Sequence, residues 1–63
     1  MTIRRFIKRY RLQIDDYLLR EYNIPSEMVR KDKQRWQAVV NDTGLHLWAK
    51  SEGVTNFKWR WLR

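Results

Sequence analysis

Residues 35–50 read Arg35-Trp36-Gln37-Ala38-Val39-Val40-Asn41-Asp42-Thr43-Gly44-Leu45-His46-Leu47-Trp48-Ala49-Lys50, and two periods compete in them. Val29, Trp36, Val39 and Val40 fit one stripe of an α-helix, with Met28 at its edge. Asn41 to Gly44 then closes that helix, with Gly44 as the residue after the cap and Leu45 packing back. Beyond Gly44, Leu45, Leu47 and Ala49 alternate with His46, Trp48 and Lys50; further on, Phe57, Trp59 and Trp61 alternate with Lys58 and Arg60. Two alternating runs separated by Ser51-Glu52-Gly53-Val54-Thr55 predict a β-hairpin with one aromatic, apolar face and one basic face. A rival reading takes Asn41-Asp42-Thr43-Gly44 as a type I turn with Gly in the bulge position. Arg35 to Val40 is then a strand with Trp36, Ala38 and Val40 facing inward. The predicted fold is mainly α with a C-terminal β-hairpin. The alternative is one helix followed by a three-stranded antiparallel meander.

Upstream the helical period is clearer. Ile3, Phe6, Ile7, Tyr10, Ile14, Tyr17 and Leu18 recur at three- and four-residue spacings, predicting helix from residue 2 to about residue 22. Thr2 suits its N-cap. Asp15 and Asp16 offer a second cap, which would divide the segment into helices over about 2–12 and 15–22 with a bend near Gln13. Asn23 suits a left-handed C-cap, and Pro25 prevents simple continuation. Ser26 is the expected N-cap of the next helix, with Glu27 in a first turn where the macrodipole favours a carboxylate.

The chain has 63 residues, which predicts one domain over 1–63 with a thin core. It has no Cys and one His, so neither a disulfide nor a thiolate metal site is available to staple it. Four Trp, three Tyr and two Phe supply much buried area per residue. Lys and Arg number 14 against 7 Asp and Glu, a net charge of +7. Such a domain is attracted to polyanions, nucleic acid first, then acidic membranes or acidic proteins. The cations fall in three groups: Arg4, Arg5, Lys8, Arg9 and Arg11; Arg30, Lys31, Lys33 and Arg35; Lys50, Lys58, Arg60 and Arg63. No apolar run of about 7–15 residues follows the basic N-terminus as in a signal peptide, so the cytoplasm is the expected compartment. No segment approaches the roughly 20 apolar residues of a membrane span. Adjacent Asp15 and Asp16 would point about 100° apart on a helix, which suits capping rather than acid–base work. His46 stands alone, and no nucleophile–base pattern or phosphate-cradling Gly-rich loop occurs. The expectation is a binding protein rather than an enzyme, with no cofactor, no metal and no small-molecule substrate.

The stretch Tyr17-Leu18-Leu19-Arg20-Glu21-Tyr22-Asn23-Ile24-Pro25-Ser26-Glu27-Met28-Val29-Arg30-Lys31-Asp32 resembles the helix-turn-helix of bacterial winged-helix repressors of the DeoR type. Leu18 stands at that motif's Leu, Leu19 at its Ala, Tyr22 at its aromatic core residue, Asn23 at its turn Gly and Ile24 at the Val that follows. Val29-Arg30-Lys31-Asp32 stands for its Ile-Arg-Arg-Asp. The chain departs from the motif in the bulk of Leu19, in Lys33 where a Leu is usual, and in a longer run from Asp32 to Gly44. The resemblance implies a winged helix-turn-helix that binds double-stranded DNA. Leu18, Tyr22, Ile24 and Val29 would set the angle between the two helices. The second helix would enter the major groove by its N-terminal part. Ser26, Glu27, Arg30, Lys31, Gln34 and Arg35 are its expected DNA-contacting residues, with Arg30 and Lys31 toward the bases. Asp32 is expected to pair with a nearby base residue of the protein. Arg4, Arg5, Lys8 and Arg9 on the first helix, and Lys50, Ser51, Thr55, Asn56 and Lys58 on the wing, would meet phosphate or the minor groove. The role implied is a small transcriptional regulator or architectural accessory, of phage or mobile-element type, with a homodimer on repeated half-sites as a compatible arrangement. Phe57, Trp59 and Trp61 are expected in the core and Trp48 exposed at a partner surface. Two other classes fit the composition: an RNA or single-strand binder on a basic aromatic sheet face, and a small inhibitor of an acidic protein. A membrane-surface role for the basic first helix is a weaker option.

Overall fold

The computed structural model describes residues 1–59. Four α-helices and one 3-10 turn follow in order: α1 Ile3–Arg9, α2 Arg11–Tyr22, the turn Ser26–Met28, α3 Asp32–Asn41 and α4 Thr43–Ser51. There is no strand among the described residues. The expected hairpin is therefore corrected to a helix followed by an irregular segment, and the three-stranded meander is absent too. Arg60, Trp61 and Arg63 lie outside the described residues.

The first helical segment divides as the two-helix reading allowed, but at Tyr10 rather than near Gln13 (φ −108°, ψ 25°). A straight helix over 3–22 would run about 30 Å at about 1.5 Å per residue. The whole molecule measures 28 × 27 × 19 Å, so one rod would overrun its own core. The break keeps both halves on it, and Tyr10 anchors the joint. Its hydroxyl donates to Glu52 Oε1 at 2.8 Å, and its ring packs on Phe6 and Trp48. Thr2 caps α1 as expected, accepting from the Arg5 N–H. Asp15 caps nothing: it lies inside α2 and is buried.

Asn23 ends α2 in the left-handed conformation (φ 57°, ψ 37°). Its N–H returns to the Leu19 carbonyl and that of Ile24 to Leu18. The next helix does not start at Ser26. Residues 26–28 make a single 3-10 turn, Val29 and Lys31 are extended, and α3 begins at Asp32. Gln34 holds this start by accepting from both the Arg30 and Lys31 N–H groups, at 2.6 and 2.9 Å. Asp32 sits in the first turn, where the exposed N–H dipoles favour a carboxylate. The long link between α2 and α3 replaces the tight turn of a helix-turn-helix.

One extended residue, Asp42, separates α3 from α4 and caps the latter through Leu45 N–H at 2.9 Å. Gly44 is thus inside the first turn of α4, not after a helix end. Leu45 and Ala49 are buried and Leu47 is 59% exposed. This is the burial pattern of a helix, in which positions four apart share a face, and not of a strand, in which positions two apart do. Gly53 (φ +98°) ends α4, with its own N–H returning to Lys50 and that of Val54 to Ala49, the two bonds of a Schellman cap. Val54 then plugs the core beside Phe6, Ile7, Ile14, Val39 and Leu45, all essentially inaccessible. Leu18 and Val29 join this core; Tyr22 and Ile24, expected there, are exposed. Phe57 and Trp59 pack against its edge. Trp48, expected at the surface, is instead half-buried with Phe6 in an edge-on contact at 5.1 Å.

Candidate nucleic-acid interface

Of the six residues expected to read DNA, five are exposed and one, Arg35, is buried. Ser26 and Glu27 lie on the 3-10 turn, and Arg30 and Lys31 on the extended run before α3, all exposed. Gln34 is committed to the backbone, since its amide also donates to the Met28 carbonyl at 3.2 Å. Arg35 is only 6% exposed. Its Nε and Nη2 donate to the two Asp15 oxygens at 2.7 and 2.9 Å, and its Nη1 to Asp32 at 3.0 Å. The hydrogen bonds to Asp15 raise its pKa above the ordinary value against the opposing effect of burial, with the charges of Asp15 and Asp32 adding to the rise. Arg35 is an internal strut and is corrected from the set of DNA contacts.

The first basic group is arranged differently. On α1, Arg4, Arg5, Lys8 and Arg9 fall within about 140° of arc at about 100° per residue. Ile3, Phe6 and Ile7 fill the inward face. All four cations are exposed, and Arg11 extends the band onto α2. Among the described residues none of the five has a carboxylate within ion-pair distance, whereas Arg20 pairs with Asp16 and Arg35 with Asp15 and Asp32. Aromatic faces steady two of them: the Arg4 guanidinium lies 5.1 Å from the Trp59 ring centre and that of Arg9 lies 5.7 Å from Tyr10.

The segment after α4 runs along the start of α1. Trp36 Nε1 donates to the Phe57 carbonyl at 2.6 Å, and the Trp36 and Trp59 rings meet at 6.1 Å. Between this segment and α1 lies a cleft of about 490 Å³, with Thr2, Arg4, Thr55, Asn56 and Lys58 among its lining residues. Thr55, Asn56 and Lys58 are thus brought together with Arg4, though on an irregular segment and not on a wing. Lys50 and Ser51 are exposed in the last turn of α4 and do not line this cleft. Sequence reasoning did not single out Thr2 and Trp59 as part of such a site. Trp59 reads as a core residue, and no local pattern places its ring under a side chain 55 residues earlier.

His46 stacks on Phe57 with ring centres 4.1 Å apart, and its buried Nδ1 meets no hydrogen-bond partner among the described residues. It serves packing. Among the described residues no three His, Cys, Asp or Glu side chains gather as metal ligands, and no helix is long and apolar enough to cross a membrane. In comparisons with known proteins, no family model, no curated protein and no solved structure matches the chain.

Proposed function

We propose that the protein binds double-stranded DNA through the outward face of α1, as a small accessory or regulatory factor working beside DNA inside the cell. The observation that carries this reading is the band Arg4, Arg5, Lys8, Arg9 and Arg11, exposed and without carboxylate partners among the described residues. A cation already paired gains little by meeting phosphate, because it must first give up its carboxylate. An unpaired one gains the full attraction and releases counterions from the duplex. The rigid helix fixes the spacing of these charges. They address the phosphate backbone, which positions a protein without reading sequence. The reading is a binding protein and not an enzyme.

The test is a titration of a labelled random-sequence duplex and of the matching single strand at about 50 mM and about 200 mM salt. Arg5→Ala/Lys8→Ala/Arg9→Ala and Arg30→Ala/Lys31→Ala are run beside the parent. With three to five phosphates engaged, duplex affinity should fall roughly 40- to 500-fold between those salt concentrations, at about 0.9 log units per log unit of salt for each phosphate. The α1 triple variant should lose most of the binding and most of the slope, and the Arg30/Lys31 variant much less. Absence of duplex binding at low salt, or a triple variant that binds like the parent, defeats this reading. Preference for the single strand would transfer the site to single-stranded nucleic acid.

A further inference from the structure

The cleft beside Arg4 has a chemical bias that charge alone does not express. Thr2 Oγ1 accepts from the Arg5 N–H and Asn56 Oδ1 from the Lys58 N–H at 3.0 Å. These internal bonds occupy acceptor positions and leave the Thr2 hydroxyl proton and the Asn56 amide protons to donate. Arg4 and Lys58 are donors only, the Thr55 hydroxyl adds another donor, and among the described residues no carboxylate lines the cleft. Arg4 is also not a loose surface arginine. Its guanidinium carbon sits 5.1 Å over the Trp59 ring centre, a cation–π contact that restrains the side chain, so less side-chain entropy is lost when its fork meets an anion. Trp59 is in turn packed against Trp36 of α3.

We propose that this cleft is a subsite for a phosphate group of the bound nucleic acid, with Arg4, held by Trp59, as the anion fork and Lys58 as the second cation. The inference rests on the nucleic-acid reading above and sharpens it. The α1 face supplies non-directional attraction, and the cleft supplies a directional contact that a lysine in place of Arg4 would not reproduce. The phosphate belongs either to an internal phosphodiester or to a strand end. A pair of cations also suits the dianionic 5′-terminal group, so both sources enter the test.

Duplexes of one sequence, with 5′-phosphate or 5′-hydroxyl ends, are titrated against the full chain and against Arg4→Lys, Lys58→Gln and Lys8→Gln. Folding of each variant is checked by its thermal transition. The Arg4 Nε–H and Trp59 indole N–H signals are followed by NMR in the parent. Arg4→Lys keeps the charge and should still weaken binding about tenfold, the loss of one charge-assisted hydrogen bond. Lys8→Gln should cost only its share of the salt-dependent attraction, and both NMR signals should shift on titration. A 5′-phosphate advantage present in the parent and lost in Arg4→Lys assigns the subsite to strand ends; equal affinity for the two duplexes assigns it to an internal phosphodiester. If the parent binds duplex, Lys8→Gln weakens it and Arg4→Lys does not, the subsite is refuted while the DNA reading stands. If the parent binds neither duplex, both fall together.

Discussion

Arg35 is the residue on which the helices agree. Its guanidinium joins Asp15 of α2 to Asp32 of its own helix and also approaches the Val29 carbonyl at 3.4 Å. A buried charge is tolerable only while its partners stay in place. Asp15→Ala should therefore destabilise the protein by about 3 kcal/mol or more in urea titrations, whereas Asp15→Leu/Arg35→Met should be roughly neutral. An Asp15→Ala midpoint equal to that of the parent would show that the pair carries no such weight. Asp42 is the other convergence point, receiving the hydroxyls of Tyr17 (2.8 Å) and Tyr22 and the Leu45 N–H. Burial alone would raise its pKa, but the hydrogen bonds from Tyr22, Leu45, Tyr17 and Gly44 outweigh that and hold it below 3.8. The same bond from its own hydroxyl, then burial and the charges of Asp42 and Glu21, push Tyr17 from 10.0 up to about 12. The folded state thus keeps a proton on Tyr17 that the unfolded chain would release. This contribution is fully present below pH 10 and is lost as pH rises toward about 12. Urea midpoints measured from pH 9 upward should fall more steeply for the parent than for Tyr17→Phe/Tyr22→Phe. Parallel curves would contradict the linkage. The Asp42 convergence is not legible in the chain. At Arg35 the local part is legible, since Asp32 is expected to pair with a nearby cation and meets Arg35. Arg35 itself reads as one more cation of a basic cluster, and its main partner, Asp15, lies 20 residues away.

At the scale of elements, α4 shows where periodicity runs out. Leu45 and Ala49 share a face in either a helix or a strand, so Leu47 is the residue that discriminates. Leu47→Gln should change stability by no more than about 0.5 kcal/mol, and Leu45→Ala should cost about 2–5 kcal/mol. Equal, large losses at both positions would contradict the helical face assigned to α4. The start of α4 carries a second prediction. A Cβ at Gly44 would meet Tyr17 Oη at 2.8 Å and Asp42 Oδ1 at 3.3 Å. Alanine gains about 1 kcal/mol of helix propensity over glycine, but in the parent it must displace the tyrosine that bonds Asp42. Gly44→Ala should therefore gain little in the parent and stabilise the Tyr17→Phe background, measured as a double-mutant cycle. Zero coupling would mean the tyrosine moves aside freely. The other elements were easier to read. The α1 and α2 stripe, the Thr2 cap and the left-handed Asn23 are all local features, determined by residues within one or two turns. Ser26 misled because a good cap residue starts a helix only if the next turns can also bury a face. Here Met28 is 61% exposed, and Gln34 captures the N–H groups farther on.

At the scale of the whole molecule, a thin core leaves little reserve. Phe6 is fully buried and touches Tyr10 at the α1–α2 joint and Trp48 on α4, each with ring centres 5.1 Å apart. Phe6→Ala should cost about 3–5 kcal/mol, comparable to the whole stability of a domain this small. Loss of most helical circular dichroism at room temperature is the expected outcome, and a cooperative transition close to that of the parent would be evidence against this core. Sums and local periods are already readable in the chain: an excess of cations, the absence of cysteine, the helical stripe of the first 22 residues, and the places where the chain must turn. Tertiary structure alone decided whether residues 43–51 became helix or strand. It also decided which cations meet a carboxylate among the described residues and which aromatic ring steadies which arginine. The physical reason is one of range. A cap or a stripe is set by neighbours within a few residues, whereas burial and charge pairing depend on groups brought together from across the chain. An arginine is an exposed cation at position 4 and an internal strut at position 35 because, among the described residues, only the second meets a carboxylate when the chain closes.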